Sequence, residues 1–438
     1  MCDCMICERI NMTKNIIKIL SGLLILTLIG CSSAGNADES AADPNSNSVE
    51  QIDSSEFDDL DSSKEADKSS EDEKSLKDDQ SSEDDALSSQ EDLLNGLSLK
   101  DLFAEHGMKV GTCLSTQMID NPSTNQLILE QFNSVTMENS MKPDYLFNQK
   151  KSQEEDNLVV EFNMDAIKMM NWAKENGFSM RGHTLVWYSQ TPDWIFHEGF
   201  DSKNGFVNRD EMLNRMESMM KQVFEQLDEL GYLDVFYAYD VVNEALMEDG
   251  SIRQNHWSDI IGDDYLWYAF YYADKYAPES IDLYYNDYNE QFKTQALFDF
   301  VNTLVDEDGS YLIDGIGFQA HLYTSDNLDS YFETLDKLGE TGLKIQLTEL
   351  DVCLGKYQAP LAAKDENLQE QGRFYYDLIN GLFERVDEGL VRMDALTFWG
   401  FSDSLSWRRE YSPMLYDKSI QPKYAYYGAM QMKELAGY

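Results

Sequence analysis

The run Val235-Phe236-Tyr237-Ala238-Tyr239-Asp240-Val241-Val242 is apolar and aromatic almost throughout and stops abruptly at Asn243-Glu244-Ala245. A short run of that kind reads as a β-strand over Val235–Val242. Working outward, comparable runs recur at Lys109–Leu114, Ser134–Met137, Ser179–Val186, Asp282–Tyr285, Gly315–Gln319, Lys344–Leu347 and Ala395–Trp399. Longer amphipathic stretches lie between them and read as helices, among them Asp165–Asn176, Asp210–Leu230, Trp267–Lys275 and Asn367–Glu384. Eight strands alternating with helices over roughly 340 residues is the count of an α/β fold, a single (β/α)8 TIM barrel. A doubly wound sheet alternates in the same way. No GxGxxG or Walker A motif follows any of the strands, which argues against a nucleotide-binding sheet. The sequence contains no internal repeat.

In a barrel of this kind, chemistry is built from the carboxyl ends of the strands. Here those ends are crowded with polar and aromatic groups: Thr136–Lys142, Arg181–Gln190, Asp240–Ala245, Tyr284–Asn289, Gly317–His321, Thr348–Asp351 and Phe398–Gly400. A purely structural barrel has no reason to gather so many at one rim. Glu244 and Glu349 each close an apolar strand, where solvation is poor. Either alone is as well explained by a salt bridge at a strand end; the pair within this set is not. Cleaving a glycosidic bond requires two flanking carboxyl groups, one protonated and one ionised. Burial and a neighbouring negative charge raise the pKa of one of them and keep it protonated.

Four stretches, Arg181–Trp194, Asp240–Ala245, Gly315–His321 and Thr348–Asp351, are similar in order and spacing to motifs of glycoside hydrolase family 10, the (β/α)8 endo-β-1,4-xylanases. Thr136–Lys142, Leu283–Asn289 and Thr397–Trp407 support the match, which covers the chain from about Ser98 to its C-terminus. The resemblance implies retaining hydrolysis of xylan through a covalent glycosyl-enzyme. Glu244 resembles the acid/base and Glu349 the nucleophile, with their carboxyl groups about 5–5.5 Å apart. His321 and Asp351 resemble the partners that hold Glu349 ionised and aligned, and Asn243 the residue that bonds the sugar 2-hydroxyl. Glu138, Asn139, Lys142, His183, Trp187, Gln190, Gln319, Trp399 and Trp407 resemble residues lining the glycone subsites. Trp399 and Trp407 either face sugar rings or belong to the core. Tyr288 and Asn289 either contact substrate or support the site.

Tyr188 stands where a His is common in the family, Tyr239 where a Trp is frequent, and Phe401 and Leu405 are modest variants. These departures bear on subsite affinity and pH optimum. Two other functions compete with xylan hydrolysis. One is a related retaining β-1,4-glucanase; the other is a non-catalytic surface protein that binds hemicellulose, which would normally have lost a catalytic carboxylate.

The formal net charge of −47, with 34 Lys+Arg against 81 Asp+Glu, repels phosphate backbones and anionic lipid, so nucleic acid is excluded as a partner. Neutral xylan and xylo-oligosaccharides are compatible with it, and a monomer is expected. Five His with no HExxH or paired CxxC give no metal motif, and no cofactor is expected. Of the six Cys, only Cys113 and Cys353 fall in the globular part, at the ends of strands that need not be neighbours. Two free thiols are expected there.

Residues 1–30 resemble a bacterial lipoprotein signal: Lys14 and Lys18 flank the apolar run Ile19–Gly30, which is too short for an ordinary membrane span. Leu28-Ile29-Gly30-Cys31 has the form of a lipobox, which implies lipidation of Cys31 and a cell-surface location; an ordinary signal peptide would instead give a secreted enzyme. Met12-Thr13-Lys14 makes a conventional signal start, so translation is expected to begin at Met12. From Ser32 to Asp92, 21 Asp+Glu stand against 4 Lys, with almost no aromatic residue and no hydrophobic period. Residues 31–92 are therefore expected to be a disordered tether. A flexible chain of that length spans roughly 40–45 Å, and more when self-repelling. The barrel is expected over 93–438.

Overall fold

The eight expected runs are all strands in the computed structural model, which describes residues 97–438. The expected signal, Cys31 and the acidic tether lie outside the described residues. The strands are β1 Lys109–Leu114, β2 Ser134–Met137, β3 Ser179–Val186, β4 Phe236–Asn243, β5 Asp282–Asp287, β6 Gly315–Phe318, β7 Lys344–Cys353 and β8 Ala395–Phe398. Each pairs in parallel with the next along the chain. β8 pairs with both β7 and β1, opposite Leu347 and Lys109 respectively, and so closes the barrel. Closure removes the doubly wound alternative. Because all strands run the same way, their carboxyl ends meet at one rim.

The outer helices begin and end where local chemistry dictates. Asn163, Asn208 and Asn327 cap the helices Met164–Asn176, Arg209–Glu229 and Leu328–Gly339, each accepting from backbone N–H groups of the first turn. In Arg209–Glu229 the buried residues Met212, Met216, Met219, Met220, Val223 and Leu227 recur at helical spacing and form its buried stripe, and Phe224 of the same helix packs edge to face on Tyr239 of β4. Among the described residues no helix is long and apolar enough to cross a membrane.

The strand ends differ from expectation in one way that matters. β7 was expected to stop at Leu347 but continues to Cys353. The chain after β6 forms a short strand, His321–Tyr323, that pairs with it in the register His321↔Asp351. Glu349 and Asp351 therefore sit inside a hydrogen-bonded strand rather than beyond its end. Conversely, Gln319 was expected in β6, which ends at Phe318, and Ala320 next to it takes φ +57°. Cys113 and Cys353 are both buried and free.

The barrel interior beneath the rim is polar. Arg181 of β3 is fully buried, donates through Nε and Nη2 to Asp240 of β4, and bonds Gln346 Oε1 of β7 at 2.6 Å. Its guanidinium lies 4.4 Å from the Tyr284 ring centroid. A buried pair of this kind survives only with its hydrogen bonds satisfied, and losing one partner costs about 3–5 kcal/mol. Asp240 Oδ2 also meets His183 Nδ1 at 3.0 Å, which links the barrel centre to the rim.

Candidate active site

Parallel pairing sets Asn243 of β4 beside Asn286 of β5, and Asn286 beside Gly317 of β6. Asn286 Nδ2 donates at 2.8 Å both to Asn243 Oδ1 and to Glu349 Oε1, while its Oδ1 accepts from Thr348 Oγ1 at 2.5 Å. Glycine at 317 makes the room. A Cβ there would stand 2.4 Å from Asn286 Oδ1 and 2.9 Å from Thr348 Cγ2.

The second oxygen of Glu349 faces His321 Nε2 at 3.3 Å, and His321 Nδ1 faces Asp351 Oδ2 at 3.0 Å. Asp351 also receives Trp407 Nε1 and Arg408 Nη1, each at 3.1 Å. An imidazole thus bridges two carboxylates, and an arginine neutralises the outer one. The ring of Trp407 is 45% exposed and lies 5.1 Å from that of His321, so it is a surface platform rather than core.

Glu244 follows β4 with φ +56°, a region that L-residues avoid. Its N–H donates to Asn286 O at 2.9 Å and its carbonyl accepts from Arg253 Nε at 3.0 Å. Its carboxyl group receives Trp187 Nε1 at 3.0 Å and Gln319 Nε2 at 2.9 Å. Gln319 Nε2 also approaches Asn243 Oδ1 at 3.4 Å. The two glutamates are therefore the ends of one chain of side chains, Glu349–Asn286–Asn243–Gln319–Glu244. Asn243 Nδ2 is buried with no hydrogen-bond partner. An unmet buried donor costs about 1–3 kcal/mol, which a ligand oxygen would recover.

The two carboxyl groups are equally hidden, at 4% and 5% exposure, yet their environments push them apart. Burial raises the pKa of Glu244, helped by the charges of Asp287 and Glu349 and opposed by the bonds from Gln319 and Trp187. Burial acts upward on Glu349 too. There the His321 bond, the charges of His183 and His321, and the Asn286 bond outweigh it and pull Glu349 down to about 2. His321 is held up at about 9: burial opposes its proton, but Asp351 and Glu349 retain it. The two environments thus favour the protonated form of Glu244 and the ionised form of Glu349, the pairing that a double displacement requires.

The remaining expected residues gather around this core to different degrees. Lys142 is buried, donates to Asn139 Oδ1 at 3.1 Å, and sits 5.2 Å from the Trp187 ring centroid. Burial lowers its pKa, against the pull of Glu349, Glu138 and Glu244. Burial raises Glu138, against Lys142. His183 and Trp399 meet edge to face at 5.5 Å, with Trp399 only 6% exposed. Gln190 is half-buried with φ +42°, and its carbonyl accepts from Asp144 N at 2.9 Å. Tyr288 Oη accepts from Arg253 Nη2 at 2.7 Å, whereas Asn289 turns away to Glu248. Nothing local in the sequence marks Asn286, Arg253 or Arg408 for a role, although Asn286 lies within the motif Leu283–Asn289.

The family model described as glycosyl hydrolase family 10 matches residues 98–432, the whole of the site included. The chain belongs to that family. Among curated relatives, the bifunctional endo-1,4-beta-xylanase XylA of Ruminococcus flavefaciens is 36% identical over 340 residues, 75% of this chain and 33% of the relative. Endo-1,4-beta-xylanase B of Butyrivibrio fibrisolvens is 33% identical over 348 residues, 76% of this chain and 53% of the relative. The chain thus spans about a third of the first relative's length and about half of the second's. A Clostridium thermocellum endo-1,4-beta-D-xylanase structure, its CBM22-1 and GH10 modules complexed with xylohexaose, aligns at TM-score 0.69 and 33% identity. That alignment covers 76% of this chain and 67% of the other.

Proposed function

We propose that this family 10 chain hydrolyses internal β-1,4-xylosidic bonds of xylan with retention of configuration. The observation that carries the reading is the single amide chain joining a raised Glu244 to a lowered Glu349. In the first step the Glu349 carboxylate attacks the anomeric carbon while Glu244 gives its proton to the departing oxygen. In the second, Glu244 takes a proton from water, whose oxygen attacks the same carbon and releases Glu349. His321 and Asp351 keep Glu349 charged and aimed. Asn243, with its unmet donor, bonds the 2-hydroxyl of the sugar at the cleavage site. Glu138, Asn139, Lys142, His183, Trp187, Gln190, Gln319, Trp399 and Trp407 line the glycone side.

Product analysis on xylan, for wild type and for Glu349→Ala with added azide, tests this. Rescue yielding a glycosyl azide of inverted configuration identifies the nucleophile; no rescue removes Glu349 from that role. Parallel assays on carboxymethylcellulose check the substrate, and greater glucan activity would overturn it.

The proposal extends to location. Residues 1–30 act as a lipoprotein signal, Cys31 carries the lipid, residues 31–92 form the tether, and a monomeric enzyme works at the cell surface. The sequence around Cys31 and the acidic run after it support this reading. Mass spectrometry of the mature N-terminus checks it: an unmodified terminus away from Cys31 removes the anchor.

A further inference from the structure

The loop after β4 holds a buried cation that the reaction above does not use. Leu246 and Ile252 form an antiparallel bridge that folds the loop back, and Arg253 N then donates to Ala245 O at 2.8 Å. The Arg253 side chain, 9% exposed, returns to the residue before that one: Nε bonds the Glu244 carbonyl at 3.0 Å and Nη2 bonds Tyr288 Oη at 2.7 Å. The guanidinium lies 4.4 Å from the centroid of the Tyr188 ring. Tyr188 is the residue that departs from the family's common His, and here it supplies a face on which a planar cation stacks.

Glu244 occupies a backbone region that persists only where its surroundings overdetermine it. Asn286 O holds the N–H of Glu244 and Arg253 holds the carbonyl. Those two bonds fix the peptide planes on either side of the Cα atom, and hence the direction in which the side chain leaves. Proton delivery is sensitive to that direction, since displacements of about 1 Å cost on the order of 100-fold in rate. The arrangement calls for arginine rather than lysine: two donors at a fixed angle and a flat stacking surface. We infer that Arg253, clamped between Tyr188 and Tyr288, is a positioning residue that aims the Glu244 proton at the departing oxygen. This rests on Glu244 being the acid/base.

The test is kcat/KM for wild type, Arg253→Met and Arg253→Lys on xylan and on aryl β-xylobiosides of graded leaving-group acidity. Substrates with poor leaving groups need the proton; a dinitrophenyl group does not. General acid assistance contributes about 10²–10⁴-fold, so Arg253→Met should lose roughly 100-fold on xylan and on the phenyl glycoside. On the dinitrophenyl glycoside it should lose less than about fivefold, because no proton is required. Arg253→Lys should recover part of the loss on poor leaving groups. An equal loss across the series, or no loss on xylan, overturns the inference. Should Arg253→Met not fold, Arg253→Lys and Tyr288→Phe decide: a loss that grows with leaving-group pKa supports positioning, and a flat loss overturns it. Failure of the wild type on xylan and on every xylobioside would instead sink the enzymatic reading itself.

Discussion

Replacing Gln319 with leucine should move one limb of the pH profile in a direction fixed by the structure. Gln319 Nε2 donates at 2.9 Å to Glu244 Oε1, and leucine fills similar space but cannot donate. A hydrogen bond to a charged group is worth about 1.5–3 kcal/mol. The amide also contacts the protonated acid, so the difference between the two forms is smaller, roughly 1–2 kcal/mol. At 1.36 kcal/mol per pKa unit, its loss raises Glu244 by about one unit. The bond stabilises the ionised form, so removing it lifts a pKa that burial already raises. The form competent for the first step is the protonated one, and it now persists to higher pH. The basic limb of kcat/KM on xylo-oligosaccharides should therefore shift upward by about one unit, whatever happens to its height. Deprotonation of His321, held near 9, sets a ceiling on the shift. Trp187→Phe removes the other bond, at 3.0 Å, and should move the limb the same way by less. A basic limb that stays put or falls in Gln319→Leu would refute the reasoning.

Asn286→Asp keeps the side-chain shape but places a carboxylate 2.8 Å from Glu349 Oε1, so kcat should fall at least about 100-fold and the melting temperature should drop at neutral pH. His321 has a folded pKa near 9, above its unfolded value. Its stabilising contribution, roughly 3 kcal/mol, is complete below about pH 6.5 and lost as pH rises through about 9. Urea unfolding should accordingly show His321→Gln far weaker than wild type at pH 6 and much closer to it at pH 10. Gly317→Ala drives a methyl group to within 2.4 Å of Asn286 Oδ1; it should cost about 1–3 kcal/mol in denaturant unfolding and reduce kcat, because Asn286 must retreat from Glu349.

The strands could be read from sequence because they are short, rich in apolar and β-branched residues and bounded by polar stretches, and β1, β2 and β4 are buried at nearly every position. The ends were harder. Nothing local in Thr348–Cys353 announces that β7 continues, since that depends on His321–Tyr323 arriving from another loop to pair with it. Glu244, Glu349, His321 and Asp351 were legible as motif residues, whereas the function of Asn286 was not. Its role depends on a glycine 31 positions away, and that glycine reads in sequence only as a weak spot in a strand. Arg253 was invisible for a different reason. It lies in a loop with no periodicity, and only the fold of that loop returns its side chain to Glu244.

The two glutamates are mounted differently. Glu349 sits mid-strand, with neighbours paired on both sides of β7, whereas Glu244 stands one residue past β4 at the head of a loop. The two supports therefore differ in kind, a paired strand for Glu349 and a loop clamped by Arg253 for Glu244, and the difference suits the tasks proposed for them. A nucleophile that must carry a sugar through a covalent intermediate benefits from a support that does not yield when the bond forms. A proton carrier must serve a departing sugar in one half-reaction and a water molecule in the next, two oxygens that need not occupy the same point. Engineering that loosens β7 should therefore cost the attack step, while changes in the 246–252 loop should alter how readily one leaving group is exchanged for another.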